Sequence, residues 1–280
     1  MARFKLLLAF LAFMICAGGI VVAYFYWKKF AEPEMFVNRQ IAGEGEVREK
    51  PDLGKRHFDK AIDLVKEGEI VSARDRLLYL MTYFPESKTH SEARRIVGEL
   101  NMDLLVSKIP QPNKSIHIVR SGEALVSIAG RSQTTIDYIM RASGKVNTLI
   151  YPNEELIVYP LALRAEVNLS DKLVTLFEGE LFFKEYAIQD TNLPPEFSST
   201  ASTTVREKVA WHDGKPINFE NTNYMDCTKW IRTGKIGLVF REYDSAIENG
   251  SQVWGIMLDT ADMEELFTVL RNGSRVDLRK

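Results

Sequence analysis

The 280-residue sequence predicts a multidomain α+β chain hung from an N-terminal membrane anchor. Three observations carry that prediction. Residues 6–27 hold no charge, residues 55–107 repeat their apolar side chains at helical spacing, and from Leu163 onward apolar residues alternate as they do in strands. Between the last two, residues 116–160 place two short helical patterns between two strand patterns.

The anchor comes first. Leu6 to Trp27, LLLAFLAFMICAGGIVVAYFYW, is a run of 22 residues. As a helix rising about 1.5 Å per residue it reaches roughly 33 Å, enough for a hydrocarbon core of about 30 Å. Arg3 and Lys5 flank one end, Lys28 and Lys29 the other, and Tyr24, Tyr26 and Trp27 make an aromatic belt. A cleaved signal peptide is the competing reading. Its apolar stretch is ordinarily about 7–15 residues, and here the small residues Ala17, Gly18 and Gly19 lie mid-run. Ile15 before Cys16 argues against lipid attachment. The expectation is therefore an anchor over residues 1–29 followed by a charged, Gly- and Pro-containing linker over residues 30–54. The basic flanks are nearly balanced and do not set orientation.

Composition excludes several classes of function. Lys and Arg number 36 against 38 Asp and Glu, a net charge of −2, which leaves no clustered positive charge to displace counterions from nucleic acid. The two cysteines, Cys16 and Cys227, are too few for a disulfide framework or a cysteine-rich zinc site, and both are expected as free thiols. No phosphate loop, dinucleotide motif or metal cluster is present, so neither cofactor nor metal is expected.

In residues 55–108, Phe58, Ala61, Ile62 and Val65 share one face of a first helix, which Gly68 ends. Ala73, Leu77, Leu80 and Met81 stripe a second, stopped at Pro85. Ser91 is expected to cap a third, with Ala93, Ile96, Val97, Leu100 and Leu104 apolar. The spacing from Gly68 to Ala73 and the later YFPES resemble a tetratricopeptide-like hairpin. One incomplete repeat falls short of the roughly three that a solenoid needs. The segment is read either as a helical spacer open to a protein partner or as a plain bundle beneath the next domain. IPQPNKS, residues 109–115, is a linker whose prolines discourage helix.

In residues 116–160, IHIVR alternates as a strand, LVSIAG and TIDYIMRAS are amphipathic helices, and ELIVYP closes as a strand. The order is βααβ. Val119, Gly122, Leu125, Ser127, Ile128, Ala129, Ile150, Pro152, Leu156 and Pro160 match in sequence the pattern of a LysM domain, which this segment resembles. The resemblance implies binding of glycans containing N-acetylglucosamine, such as peptidoglycan, through the loop after the first strand and the loop before the last. The implied contacts are Ser121, Gly122, Glu123, Ala124 and Leu125 with Asn147, Thr148, Leu149, Ile150, Tyr151 and Pro152. Glu123 and Ala124 replace the family's Asp-Thr pair, Asn153 its Gly and Glu154 its Gln. Asn at 153 can hold the left-handed turn that Gly would.

Residues 163–280 begin as strands, with a turn at EGE. Leu169, Ser170, Leu173, Leu176, Gly179, Leu181, Lys184 and Tyr186 fit in order the opening of an L,D-transpeptidase (YkuD-like) domain, and DMEELFTVLRNGSRVDL resembles its terminal helix and strand. The middle is poor: SSTASTTVREKVAWHDGKPI stands where the family has a T-P-T-G segment and its following loop, with neither that Pro nor that Gly. The resemblance implies a mainly-β domain in which a cysteine thiolate, activated by an upstream histidine, attacks the acyl carbonyl of a peptide stem. Those positions fall on Gly255 and Val239, while Phe240, Arg241, Trp254 and Met257 replace other motif residues. Glycine has no nucleophile and valine accepts no proton, so no acyl-enzyme can form there. The domain's other thiol and imidazole, Cys227 and His212, are the alternative pair, read otherwise as a small hydrophobe and a loop residue. Asp259 is expected to cap the last helix, with Glu264 and Glu265 on its solvated face and Met263, Leu266, Phe267 and Leu270 on its inner one. Trp211, Trp230, Phe240 and Trp254 suit either a remodelled cleft or plain core.

Together these resemblances imply a bacterial envelope protein. A single inner-membrane span would keep the N-terminus inside and the bulk facing the wall, gripping peptidoglycan through residues 116–160, with the transpeptidase-like domain non-catalytic and acting in binding or scaffolding. Two alternatives stay open: an active cell-wall cross-linking enzyme using Cys227 and His212, and a structural tether that recruits envelope proteins through residues 55–108.

Overall fold

The computed structural model describes residues 24–28, 51–195, 197, 200–243 and 253–279. Residues 24–28 are helical. The rest of the apolar N-terminal run, Cys16 and the linker to residue 50 lie outside the described residues. No helix among the described residues is long and apolar enough to cross a membrane. Asp52–Lys280 forms one unit.

Three helices open that unit: α1 (Leu53–Lys66), α2 (Ile70–Tyr83) and α3 (His90–Val106). The Asp52 carboxylate caps α1, accepting from Lys55 N at 3.2 Å, and also accepts from Ser87 Oγ and Lys88 N, each at 3.0 Å. One side chain thus ties the start of α1 to the turn before α3. Gly68 sits at φ +80°, the left-handed conformation that ends a helix at little cost to Gly. Ser91 is not the cap of α3. Thr89 holds that position, without a side-chain capping bond, and Ser91 lies inside the first turn. Ala61, Ala73, Leu77, Leu80, Ala93, Val97 and Leu100 form a small core of their own.

The chain then turns through residues 107–114. Lys114 Nζ donates to the carbonyls of Leu104, Ser107 and Ile109 at 2.6, 2.8 and 3.1 Å, occupying acceptors left over at the end of α3. Next comes the βααβ unit: β1 (Ser115–Ile118), α4 (Leu125–Arg131), α5 (Ile136–Ser143) and β2 (Glu155–Val158), with β1 and β2 antiparallel and His117 opposite Leu156. Asn153 adopts φ +70°, so the expected left-handed turn is made without Gly, and its N–H donates to Val119 O at 2.8 Å.

The remainder is a mainly-β, barrel-like sheet of β3 (Leu163–Asn168), β4 (Leu173–Glu178), β5 (Leu181–Asn192), β6 (Ala201–His212), β7 (Lys215–Ile217), β8 (Thr228–Thr233), β9 (Val239–Glu242), β10 (Gly255–Leu258) and β11 (Arg275–Arg279), with α6 (Thr260–Val269) before the last strand. Strand order is β11-β3-β4-β5-β10-β9-β8-β6-β7, and β6 also pairs with β11. The long β6 closes the ring, pairing with β11 over Ala201–Thr204 and with β8 from Val205 to Trp211. Closure removes the unpaired edges that an open sheet would expose. One apolar core runs from Met102 and Leu105 of α3 through the βααβ unit into the barrel. The segments that the sequence separates by linkers therefore share their interior.

Charged groups stitch these parts together. Lys184 on β5 is buried and donates to Glu99 of α3 at 2.9 Å and to Glu265 of α6 at 2.7 Å. Asp259 caps α6 as expected, accepting from Ala261 N, and Met263, Leu266, Phe267 and Leu270 face the core. Glu264 and Glu265 do not merely solvate the outer face. They are the counterions of the buried Lys229 and Lys184, because a barrel wall supplies lysines on that side.

Candidate functional site

Two places on Asp52–Lys280 bear on function. The first is where β9 and β10 run parallel, pairing Phe240 with Ile256 and Arg241 with Met257. That register sets Val239 beside Gly255, the two positions to which the sequence resemblance assigned the histidine and the cysteine. Every residue of β10 is buried. A Cβ at Gly255 would lie 2.9 Å from the Val239 carbonyl oxygen and 3.2 Å from Arg241 Nε. Backbone oxygen does not yield cheaply, so the position lacks room for a side chain as well as lacking the thiol. Arg241, only 1% exposed, lies alongside, donating to Val253 O at 3.2 Å and to Glu242 O at 3.4 Å.

The other thiol and imidazole are occupied elsewhere. Cys227 is buried, its Sγ donates to Tyr224 O at 2.9 Å, and burial pushes its thiol upward, away from thiolate. His212 Nε2 lies 3.0 Å from Asn223 Nδ2 and 3.5 Å from Asp213. No hydrogen bond joins Cys227 to His212 among the described residues. Of the four aromatics, Phe240 is core, Trp211 and Trp230 pack on each other with centroids 5.5 Å apart, and Trp254 is half-buried.

The second place is a groove of about 510 Å³ between the βααβ unit and the barrel. Its first wall is made by Glu123, Ala124, Leu125, Asn147, Thr148, Leu149 and Ile150, so the loop after β1 and the loop before β2 converge there. Ser121, Gly122, Tyr151 and Pro152 are exposed but do not line it. Leu125 is 2% exposed and its side chain belongs to the core. Leu149, at 62%, is open to solvent. Asn147 Oδ1 accepts from Leu149 N at 3.1 Å, shaping its loop by an Asx turn.

Glu123 shapes the other loop. Its carboxylate accepts from Arg120 N at 2.9 Å, lies 2.8 Å from His117 Nε2 and pairs with Arg131. The backbone bond foremost, then His117 and Arg131, hold its carboxyl at about 2. Glu123, a contact residue by the LysM resemblance, lines the groove and also braces its own loop.

The far wall was not foreseen: Phe219, Glu220, Asn221, Thr222, Tyr224 and Met225, from the barrel segment between β7 and β8. Asn218 Oδ1 accepts from Glu220 N and Asn221 Oδ1 from Asn223 N, at 3.1 and 2.9 Å. A signal for this segment existed, since NFENTNYMD spaces three asparagines as a run of Asx turns would. Tyr224 OH donates to Asp137 on α5 at 3.0 Å. Asp137 also pairs with Lys208 at 3.3 Å and Lys229 at 3.7 Å, and Lys229 with Glu264 at 2.6 Å. Burial lowers Lys208, its strongest opposing influence being Asp137, whereas Lys229 is raised by its two carboxylates against the cost of burial. Among the described residues no group of His, Cys, Asp and Glu gathers to hold a metal.

The chain matches no protein-family model and no curated protein. Among solved structures it overlaps a fused Zn-dependent amidase/peptidase/peptidoglycan-binding domain-containing protein from Clostridium acetobutylicum, at 12% identity and TM-score 0.31 over 41% of this chain and 50% of that one. It overlaps an L,D-transpeptidase mutant from Enterococcus faecium at 17% identity and TM-score 0.30, over 44% and 52%. An L,D-transpeptidase (Yku) from Stackebrandtia nassauensis overlaps at 13% identity and TM-score 0.32, over 57% and 68%. The chain spans about half the length of the first two. Overlaps of this size assign neither activity nor ligand.

Proposed function

We propose that this chain is a membrane-anchored protein of the bacterial cell envelope that holds peptidoglycan through a LysM-like βααβ unit and performs no acyl transfer. The observation that carries the reading is the convergence of the 123–125 and 147–150 loops on one groove. The side-chain amide of Asn147 and the hydroxyl of Thr148 there sit beside exposed Leu149, a mixture suited to the hydroxyls, acetamides and C–H faces of amino sugars. The non-catalytic half of the reading is supported by Gly255, where neither a nucleophile nor space for one exists. Residues 6–27 would span the cytoplasmic membrane with the N-terminus inside, because the ligand lies outside.

The test uses the full chain in detergent with purified sacculi, and with a carbapenem as an acylator of transpeptidase cysteines. Retention on sacculi and an unmodified mass are expected. Absence of retention overturns glycan binding, and a covalent adduct on Cys227 overturns the inactive barrel.

A second reading, recruitment of a protein partner by residues 55–108, has its own observation. Tyr79 and Tyr83 are 45% and 65% exposed and pack with His57 and Phe84 into an aromatic patch on the helices. Under that reading Tyr83→Ser removes co-purification of an envelope protein with the chain while leaving sacculus retention intact.

A further inference from the structure

We propose that the barrel supplies half of the glycan site: residues 219–225 contact the amino-sugar chain together with the βααβ loops, so the site is complete only where the two parts are packed together. The inference rests on the glycan reading above and extends it to a segment outside the βααβ unit.

Geometry comes first. The segment forms the opposite wall of the same 510 Å³ groove, a size within the roughly 300–1,000 Å³ of small-ligand pockets. Glu220, Asn221, Thr222 and Met225 are exposed on it, Met225 by 50%. Amide, hydroxyl and thioether thus stand across from amide, hydroxyl and isobutyl, and a sugar between them has polar and apolar partners on both sides.

Charge narrows the ligand. The groove is lined by two carboxylates, Glu123 and Glu220, and by no lysine or arginine. Phosphates and carboxylates find no cation there. Glu123 is already committed to Arg131, His117 and Arg120 N. The lining therefore suits an uncharged polar chain such as a β-1,4-linked N-acetylated amino sugar.

Rigidity makes the wall useful. Asx turns at Asn218 and Asn221, the Cys227 Sγ–Tyr224 O bond and the His212–Asn223 contact shape the segment before any ligand arrives. The Tyr224–Asp137 bond then fixes it to α5, so the width of the groove is set by how the βααβ unit seats on the barrel. A preformed wall spares the ligand the cost of ordering a loop. Cys227 and His212, candidates for chemistry in the sequence, are positioning residues for this wall.

The test titrates the full chain in detergent with a β-1,4-linked N-acetylglucosamine tetramer, reading affinity by calorimetry and the methyl resonance of Met225 by NMR. Met225→Ala and Thr222→Trp are expected to weaken binding roughly tenfold, the worth of about one good contact, and Leu149→Asp to abolish it. In the unaltered chain the Met225 methyl should shift on titration, a readout that needs no substitution. If the tetramer binds and Leu149→Asp abolishes it, while both wall variants bind normally and the Met225 methyl stays put, the wall is overturned and the glycan reading stands. If the unaltered chain binds no tetramer, both fall.

Discussion

The groove and the β9–β10 floor contrast in almost every physical respect. The groove is open, lined by exposed amides, hydroxyls and apolar tips, and its shape is held by side chains whose hydrogen bonds are spent on their own loops. The floor is closed. Gly255, Met257 and Arg241 are buried, and the space beside Gly255 is taken by backbone oxygen and a guanidinium. One region is open to solvent and the other is packed. Closing the ring depends on register and core, whereas acyl transfer at Val239 and Gly255 would depend on two side chains that these residues do not supply.

The largest expected effect breaks the groove from behind. Asp137→Ala takes the carboxylate from Lys208 and the acceptor from Tyr224, leaving a nearly buried ammonium without its closest counterion. Stability should fall by about 3 kcal/mol in urea unfolding, with sacculus retention lost alongside. Unchanged stability would mean that the seam is not held as described.

Gly255→Cys sharpens the contrast from the other side. The added Cβ meets Val239 O, so unfolding should show a loss of about 1–3 kcal/mol, and mass spectrometry should show no carbapenem adduct on the new thiol. Acylation would show that the floor needs only its nucleophile restored.

Leu149→Asp puts a charge into the groove at an exposed position and should leave the unfolding free energy within about 0.5 kcal/mol of the unaltered chain, while sacculus retention is lost. Normal retention would move the glycan site away from this groove.

The smallest effect is pH-dependent. The Glu123 carboxyl, ordinarily near 4.5, is held at about 2 in the folded chain. A depressed folded value means that its contribution is whole above about pH 4.5 and fades as pH falls toward 2. The gap in thermal midpoint between the unaltered chain and Glu123→Gln should therefore narrow from pH 5 to pH 2.5. A gap that does not change would show that the carboxylate holds no such bonds.

Much of this molecule was legible in order of residues. Gly68 and Pro85 ended their helices, Asp259 capped its helix, and Asn153 took the left-handed turn, because each acts through backbone groups within a few positions. The 121–125 and 147–152 loops were named only through the LysM resemblance; that 123–125 and 147–150 line one groove is visible in the structure alone. Thr89 displaced Ser91 as a cap because boundaries shift by a residue or two without changing the apolar stripe. Glu264 and Glu265 read as solvated because helical spacing places them opposite the core and says nothing about lysines on a barrel wall.

The absence of a nucleophile and a base at Gly255 and Val239 follows from residue identity alone, as does the asparagine-rich turn at 218–223. Only the tertiary structure decided that no side chain fits at Gly255, that Lys184, Lys208 and Lys229 find carboxylates on other elements, and that residues 219–225 face the βααβ loops. Tyr224 and Asp137 stand 87 positions apart. Periodicity and turn chemistry reach a turn or two along the chain, whereas such a contact exists only once the shared core has drawn distant segments together.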